Sequence, residues 1–277
     1  RLTGRTADGK QVVQFPLVHT RVVAQVSGDV ARVEVTQYYA NPSPDRLEAI
    51  YAFPLPPNAA VTDMLFRIGD RVVLSEVKRR EEAKRTYEAA KREGRTAALT
   101  EQERPNLFTQ SVANVPPGET VAVVLRYVHE VPFDDGRYLF HFPTTIGPRY
   151  VPGTPLGAAP AGGGTAPDTD RVPDASRVTP PVVPPGHRSA HDVDVLVRLL
   201  PAAAFDDVVA KSHRIVTGVD GDGARLVALD EDDRVPDRDF VLSWRPAGAA
   251  PGAHALVQRE KGEDFLMLFV QPPAEVT

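Results

Sequence analysis

Cysteine is absent from all 277 residues, which removes disulfide cross-links, thiolate-bound zinc or iron and cysteine nucleophiles from the chemistry open to this chain. Long apolar runs are missing too. The most apolar stretches, Val121 to Val128 and Phe265 to Val270, fall far short of the ~20 residues a helix needs to cross a bilayer, so no transmembrane segment is expected. Basic charge is not in excess: 32 Lys and Arg are mixed among 37 Asp and Glu for a net charge of -5. Without a basic face to track a phosphate backbone, nucleic acid is not an expected partner. Tryptophan occurs once and tyrosine seven times, thin support for a platform of coplanar aromatics that would hold a glycan. The one Asn-x-Ser/Thr match, Asn41-Pro42-Ser43, is blocked as a glycosylation acceptor by its central proline.

What the chain has in quantity is proline, 27 residues, beside 20 glycines and many valine-rich runs, a combination that predicts short strands joined by stiff turns. A hydrophobic content of 42% with 25% charged residues is that of a soluble globular protein. The length suits one large β domain or two smaller ones. No signal peptide is visible, and Arg1 is not a natural start, so the segment reads as a mature or trimmed form. The richness in Ala, Arg, Val and Pro has a bacterial character.

Apolar residues recur at every second position over much of the chain. Val33 and Val35 alternate with Arg32, Glu34 and Thr36, and Val193, Val195, Val197 and Leu199 lie on one side of Asp192 to Leu200; period two means a strand with one wet face. Strands are predicted between Gln11 and Tyr39 and at 47–53, 61–68, 71–77, 107–114, 120–131 and 138–142. After an interruption they resume at 192–200, 214–219, 224–229, 239–244, 253–259 and 264–270. Asn41-Pro42, Pro54-Leu55-Pro56-Pro57-Asn58, Ile68-Gly69-Asp70 and Pro116-Pro117-Gly118 punctuate them with fixed or positive φ. One segment differs: Arg80 to Glu93, with Ala83, Tyr87 and Ala90 at i, i+4 and i+7 and Gly94 as the stop, predicts a short amphipathic helix packed on a sheet. Its charged positions are expected to be a solvated face. Residues 148–190, rich in Pro and Gly, read as a loop or linker whose Pro180-Pro181-Val182-Val183-Pro184-Pro185 forms a stiff extended spacer.

No local catalytic signature is present: no Gly-x-Ser-x-Gly elbow, no phosphate-binding glycine loop, no His-Glu-x-x-His. His129-Glu130 is followed by Val131-Pro132 and is expected to be a surface pair. Asp192 and Asp194 share a strand face that His191 does not, which disfavours a metal site there. Asp220-Gly221-Asp222-Gly223 makes Asp220 and Asp222 weak metal candidates, since acidic glycine loops hold calcium, with the run Asp230 to Asp233 as further oxygen donors. The remaining ligands of a calcium loop are lacking, and a hairpin turn accounts better for the string. No cofactor is implied.

Several spaced motifs run in order from Tyr38 to Tyr127. They are Tyr39-Ala40-Asn41-Pro42, Glu48-Ala49-Ile50-Tyr51-Ala52-Phe53-Pro54, Ile68-Gly69-Asp70, Ala83 with Tyr87, Ala90 and Gly94, Arg104-Pro105-Asn106-Leu107-Phe108, Asn114-Val115-Pro116-Pro117-Gly118 and Arg126-Tyr127. In this series the chain resembles the VIT (vault protein inter-alpha-trypsin) domain of inter-alpha-trypsin inhibitor heavy chains and of bacterial proteins that join it to a von Willebrand factor A domain. The resemblance implies an antiparallel β-sandwich, a mainly β chain with its one helix over residues 80–93. It further implies a VIT domain over 1–147, the linker over 148–190, and a second β region over 191–277 that either completes the sandwich or forms a separate small domain. The motif residues suit structural parts: Tyr51, Phe53 and Phe108 in a core, Pro54, Pro117 and Gly118 at corners, Asn41 and Asn114 before turns. Glu48, if turned inward, needs Arg71, Arg104 or Arg126.

The A domain itself holds magnesium through Asp-x-Ser-x-Ser, and the nearest string, Asp174-Ala175-Ser176-Arg177-Val178, lacks the second serine. The resemblance therefore implies a non-catalytic interaction or scaffolding module whose partner is a neighbouring A domain or another protein, with Asp192 to Val270 facing it. A carbohydrate- or matrix-binding sandwich, or a hydrolase assembled from distant residues, are the alternatives. By resemblance alone, the location is extracellular, cell-surface or periplasmic.

Overall fold

The computed structural model describes residues 2–6, 12–56, 58–74, 98–104, 107–145, 151–157, 166–173, 175–179, 191–200, 205–246, 252–260 and 262–271. Before the central loop the strands are β1 (Leu2–Arg5), β2 (Val12–Phe15), β3 (Leu17–Ser27), β4 (Val30–Ala40), β5 (Leu47–Pro54), β6 (Ala60–Ile68), β7 (Arg71–Leu74), β8 (Ala98–Arg104), β9 (Leu107–Val115), β10 (Thr120–Glu130), β11 (Phe133–Asp134) and β12 (Arg137–Phe142). One helical turn, α1 (Ala175–Val178), interrupts the loop. After it come β13 (Asp192–Leu199), β14 (Phe205–Ala210), β15 (Ile215–Val219), β16 (Arg225–Leu229), β17 (Phe240–Pro246), β18 (Gly252–Glu260) and β19 (Glu263–Gln271). The chain is mainly β, in several largely antiparallel sheets. The helix predicted over 80–93 lies outside the described residues.

An eight-stranded sheet, ordered β15-β16-β13-β3-β4-β10-β6-β7, packs against a five-stranded sheet, β2-β1-β5-β9-β8. The alternation seen in the sequence sets which side chains face inward. Val22, Ala24 and Val26 of β3, Val33, Val35 and Tyr39 of β4, and Val121, Val123, Leu125 and Tyr127 of β10 are all buried, the valine and leucine side chains each worth ~1.5–3 kcal/mol on removal from water. From the other sheet, Tyr51 of β5 meets Tyr39 edge-on at 6.2 Å and Phe66 of β6 at 6.4 Å. Its hydroxyl donates to Gln37 Oε1, which also accepts from Tyr39, while Gln37 Nε2 donates to Thr20 Oγ1. A buried polar set is thus closed within the core, as burial requires.

Strands from either side of the central loop share sheets. β13 pairs with β3 in parallel, Val195 beside Val22, the one departure among the described strands from the antiparallel pairing expected; a parallel neighbour requires a long crossover, and residues 28–191 provide it. A four-stranded sheet, β11-β12-β17-β14, likewise joins strands from both sides and contributes Phe140, Phe142, Phe240, Leu242 and Trp244 to the same core. Among the described residues, β18 and β19 pair only with each other.

Candidate functional site

The described motif residues are spread along the sandwich: Asn41, Asn114 and Gly118 meet at one end, while Phe53, Pro54 and Tyr127 lie farther along their strands. Asn41 leaves β4 and is buried; its amide donates to the carbonyls of Asp45, Val115 and Pro116 at 3.3, 3.4 and 2.7 Å, and its Oδ1 accepts from the Ser43 N–H at 3.0 Å. Its own N–H donates to the Glu119 carbonyl. One short amide thereby ties the exposed Pro42 loop to the Pro116-Pro117-Gly118 turn. Asn114, at φ 58°, and Gly118, at φ 68°, supply the left-handed backbone that turn needs. Tyr51 and Phe53 stack at 5.2 Å inside the core, with Tyr127 buried nearby. Burial raises the Tyr51 and Tyr127 hydroxyls far above the usual tyrosine range. Pro54 ends β5, and the backbones of Phe53 and Phe108 stand opposite each other across β5 and β9. Glu48 lies on the half-exposed face of β5, away from the inward-facing Leu47 and Ala49. Ala83, Tyr87, Ala90 and Gly94 lie outside the described residues. Asn41, Asn114 and Gly118 thus brace a corner.

Arg126 points out of the eight-stranded sheet and donates to Glu34 on β4 and Asp63 on β6, both at 2.7 Å, so it is not turned toward Glu48. An exposed network of this kind contributes ~0–1 kcal/mol per pair, and its effect is to match three neighbouring strands on the wet face. The strongest of its interactions, with Glu34, holds the guanidinium pKa up.

The acidic loops are occupied by guanidinium groups. Asp220 and Asp222 lie in the turn between β15 and β16, with Gly223 at φ 80°. Arg198 of β13 donates from Nε to Asp220 at 2.5 Å and from Nη2 to Asp222 at 2.6 Å. Asp220 Oδ1 also accepts the Asp222 and Ala224 N–H groups, and the Arg198 hydrogen bond lowers the Asp220 pKa despite desolvation. A guanidinium thus sits where a bound cation would. Asp233 is held by Arg238 and the Arg214 N–H; Asp194 faces His19 and Arg234, both at 3.1 Å, while His191 Nε2 lies 3.3 Å from Thr20 Oγ1. Among the described residues no group of three or more His, Asp or Glu is arranged to hold a metal ion. Ser176 is buried, with its N–H and Oγ both bound to Asp168 Oδ1 at 2.7 Å.

His129 corrects an expectation: only its neighbour Glu130 is exposed, and the histidine itself is buried. The strand period explains it, because His129 continues the inward row of Val121, Val123, Leu125 and Tyr127. That signal was available in the sequence; for His213, buried in a loop, none was.

Among the described residues, the β18–β19 hairpin carries a run of exposed large hydrophobics. Val257 stands opposite Leu266, Ala255 opposite Leu268 and Ala253 opposite Val270, which forms one continuous apolar face. Val257, Leu266, Leu268 and Val270 are 67%, 68%, 62% and 69% exposed, and on the reverse face Phe265 and Met267 are 54% and 51% exposed. A run apolar on both sides belongs to a strand covered on both sides, and monomers rarely expose contiguous apolar patches beyond a few hundred Å². No described helix is long and apolar enough to cross a membrane.

Residues 17–127 match the profile of the vault protein inter-alpha-trypsin domain. The chain is 35% identical over 133 residues to "Protein mono-ADP-ribosyltransferase PARP4" of Mus musculus, a match covering 48% of this chain and 7% of that protein. It is 32% identical over 140 residues to "von Willebrand factor A domain-containing protein 5A" of Rattus norvegicus, covering 50% of this chain and 17% of that one. The matches thus span small fractions of these relatives' lengths. Among solved structures, an M1 zinc metallopeptidase from Deinococcus radiodurans superposes with a TM-score of 0.37 at 12% identity, over 92% of this chain and 47% of that one, too loosely for anything to be carried across.

Proposed function

Since residues 17–127 are a VIT domain, we propose that the chain is a non-catalytic interaction module whose β18–β19 hairpin packs against a von Willebrand factor A domain. The observation that carries this reading is the hairpin itself, apolar on both faces and exposed on both. The occupant is suggested by relatives that share this module and are von Willebrand factor A domain-containing proteins. The non-catalytic reading is supported by how the polar groups are engaged. Asp220 and Asp222 hold Arg198, Ser176 faces Asp168, and Asn41 bridges backbone carbonyls. Each is satisfied by structural bonds rather than aimed into a common cleft.

The experiment is titration calorimetry of this chain against purified A domains from its relatives, with Leu266→Glu/Leu268→Glu as the variant. Saturable binding that the variant abolishes, while its circular dichroism stays that of the parent, supports the proposal. Binding that the variant leaves intact, or none with any A domain, overturns it. Association should carry a negative heat-capacity change, the mark of apolar burial.

A further inference from the structure

Two histidines occupy the joint between the eight-stranded and four-stranded sheets, and the interaction surface uses neither. His129 of β10 is 5% exposed, its ring 5.7 Å from Phe140 of β12 and 5.8 Å from Tyr127. Its Nδ1 lies 3.0 Å from the Glu130 carbonyl. A carbonyl can only accept, so Nδ1 carries the proton and Nε2 presents a lone pair, buried and without a hydrogen-bond partner among the described residues. His213 lies where the chain crosses from β14 in the smaller sheet to β15 in the larger. It is 6% exposed, its ring 5.6 Å from Phe240 of β17. Ser212 Oγ gives its proton to the Asp239 carbonyl at 2.9 Å, so the 2.8 Å contact with His213 Nδ1 is donated by the imidazole. Its Nε2 is likewise bare and buried. A strand and a loop have converged on one tautomer, each with its unprotonated nitrogen buried and unbonded and its ring beside a phenylalanine of the smaller sheet.

We propose that this joint is an acid-sensitive latch: with His129 and His213 neutral the four-stranded sheet is closed on the larger one, and their protonation opens it. A proton on either Nε2 creates a charge and a new donor with no acceptor in reach among the described residues, and opening restores water to it. The surrounding charges do not rescue the closed form. Toward His129 the titratable neighbour is His141 on β12, itself 3.0 Å from Asp239. Around His213 stand Arg238, Asp233, Asp237 and Asp239. Arg238 binds Asp233 and Asp237, and the Asp239 carboxylate accepts from His141, Thr144 and Thr145.

Burial, foremost, holds both imidazoles below the ordinary histidine range; His141 and Arg238 add to this, and the Glu130 carbonyl and the three aspartates oppose it. The sign follows. The closed form is fully favoured above about pH 6.5, the value in an unfolded chain, and is lost as pH falls below it. For each histidine the opening equilibrium rises by up to about tenfold per pH unit.

Hydrogen exchange by mass spectrometry on the whole chain at pH 7.5 and 5.5, corrected for the intrinsic rate, tests the latch. Amides of β12, β14 and β17 should exchange about tenfold or more faster at pH 5.5, while β3 and β4 do not change. The fluorescence of Trp244, the single tryptophan, buried in β17 against Tyr138 at 5.7 Å, should shift over the same range. The variant His129→Gln/His213→Gln should lose this pH dependence. Equal acceleration in every sheet, or none in β12 and β17, overturns the proposal; this comparison needs only the parent protein and decides the matter even if the variant does not fold. A variant that folds and keeps the full pH dependence also overturns it.

Discussion

Asn41 illustrates how much one side chain can hold in a protein without cysteine. Its amide donates to three carbonyls from two loops and its oxygen accepts from the Ser43 N–H in one of them, all with the residue buried. An aspartate has the same shape but donates nothing, and would place a carboxylate among those carbonyls. Asn41→Asp should therefore destabilise the fold by ~2–4 kcal/mol, read as a lower urea midpoint with an unchanged slope. By contrast, Arg126→Ala, which removes exposed pairs at 39% side-chain exposure, should cost no more than ~1 kcal/mol in the same experiment. Geometry of bonds inside a corner outweighs the number of charges outside it.

At the level of strands, a single missing Cβ closes the edge of the smaller sandwich face. A Cβ on Gly4 of β1 would lie 2.6 Å from Phe15 Cε2 and 2.7 Å from Leu47 Cδ1, so a side chain there must displace the Phe15 ring and the Leu47 side chain. Gly4→Val should cost ~1–3 kcal/mol by overpacking, with exchange protection lost first in β1 and β2 and retained in β3 and β10. The sequence made strongly patterned strands legible: the alternating Val193–Leu199 row became β13 and the continuous apolar run from Val121 became β10. It did not reveal β1, where glycine breaks the pattern, nor β8, whose Leu-Thr-Glu-Gln-Glu run lacks apolar alternation. β14 was hidden as well, because Asp206-Asp207 reads as a turn; Asp207 does take a positive φ of 51° and is pinned by Arg137. The corner around Asn41 could be anticipated from its turn chemistry. The latch could not, because the neighbours of His213 are set by pairings between strands remote in sequence.

Across the whole molecule, the core and the hairpin are energetically distinct. The described side chains of β18 and β19 are exposed and, among the described residues, the strands bond only to each other, so deletion of residues 252–277 should move the melting temperature by no more than about 1 °C. The shortened chain should bind less of a hydrophobic dye such as ANS, since the exposed apolar patch is gone. The parallel seam between β3 and β13 has another outcome. The polypeptide segments on either side of the central loop interleave in two sheets, each lacking strands that the other provides. Severing the backbone between β12 and β13 would therefore release neither part, and two separately expressed halves, 1–157 and 166–277, should find each other and reconstitute the fold, as co-purification through a tag on one half would reveal.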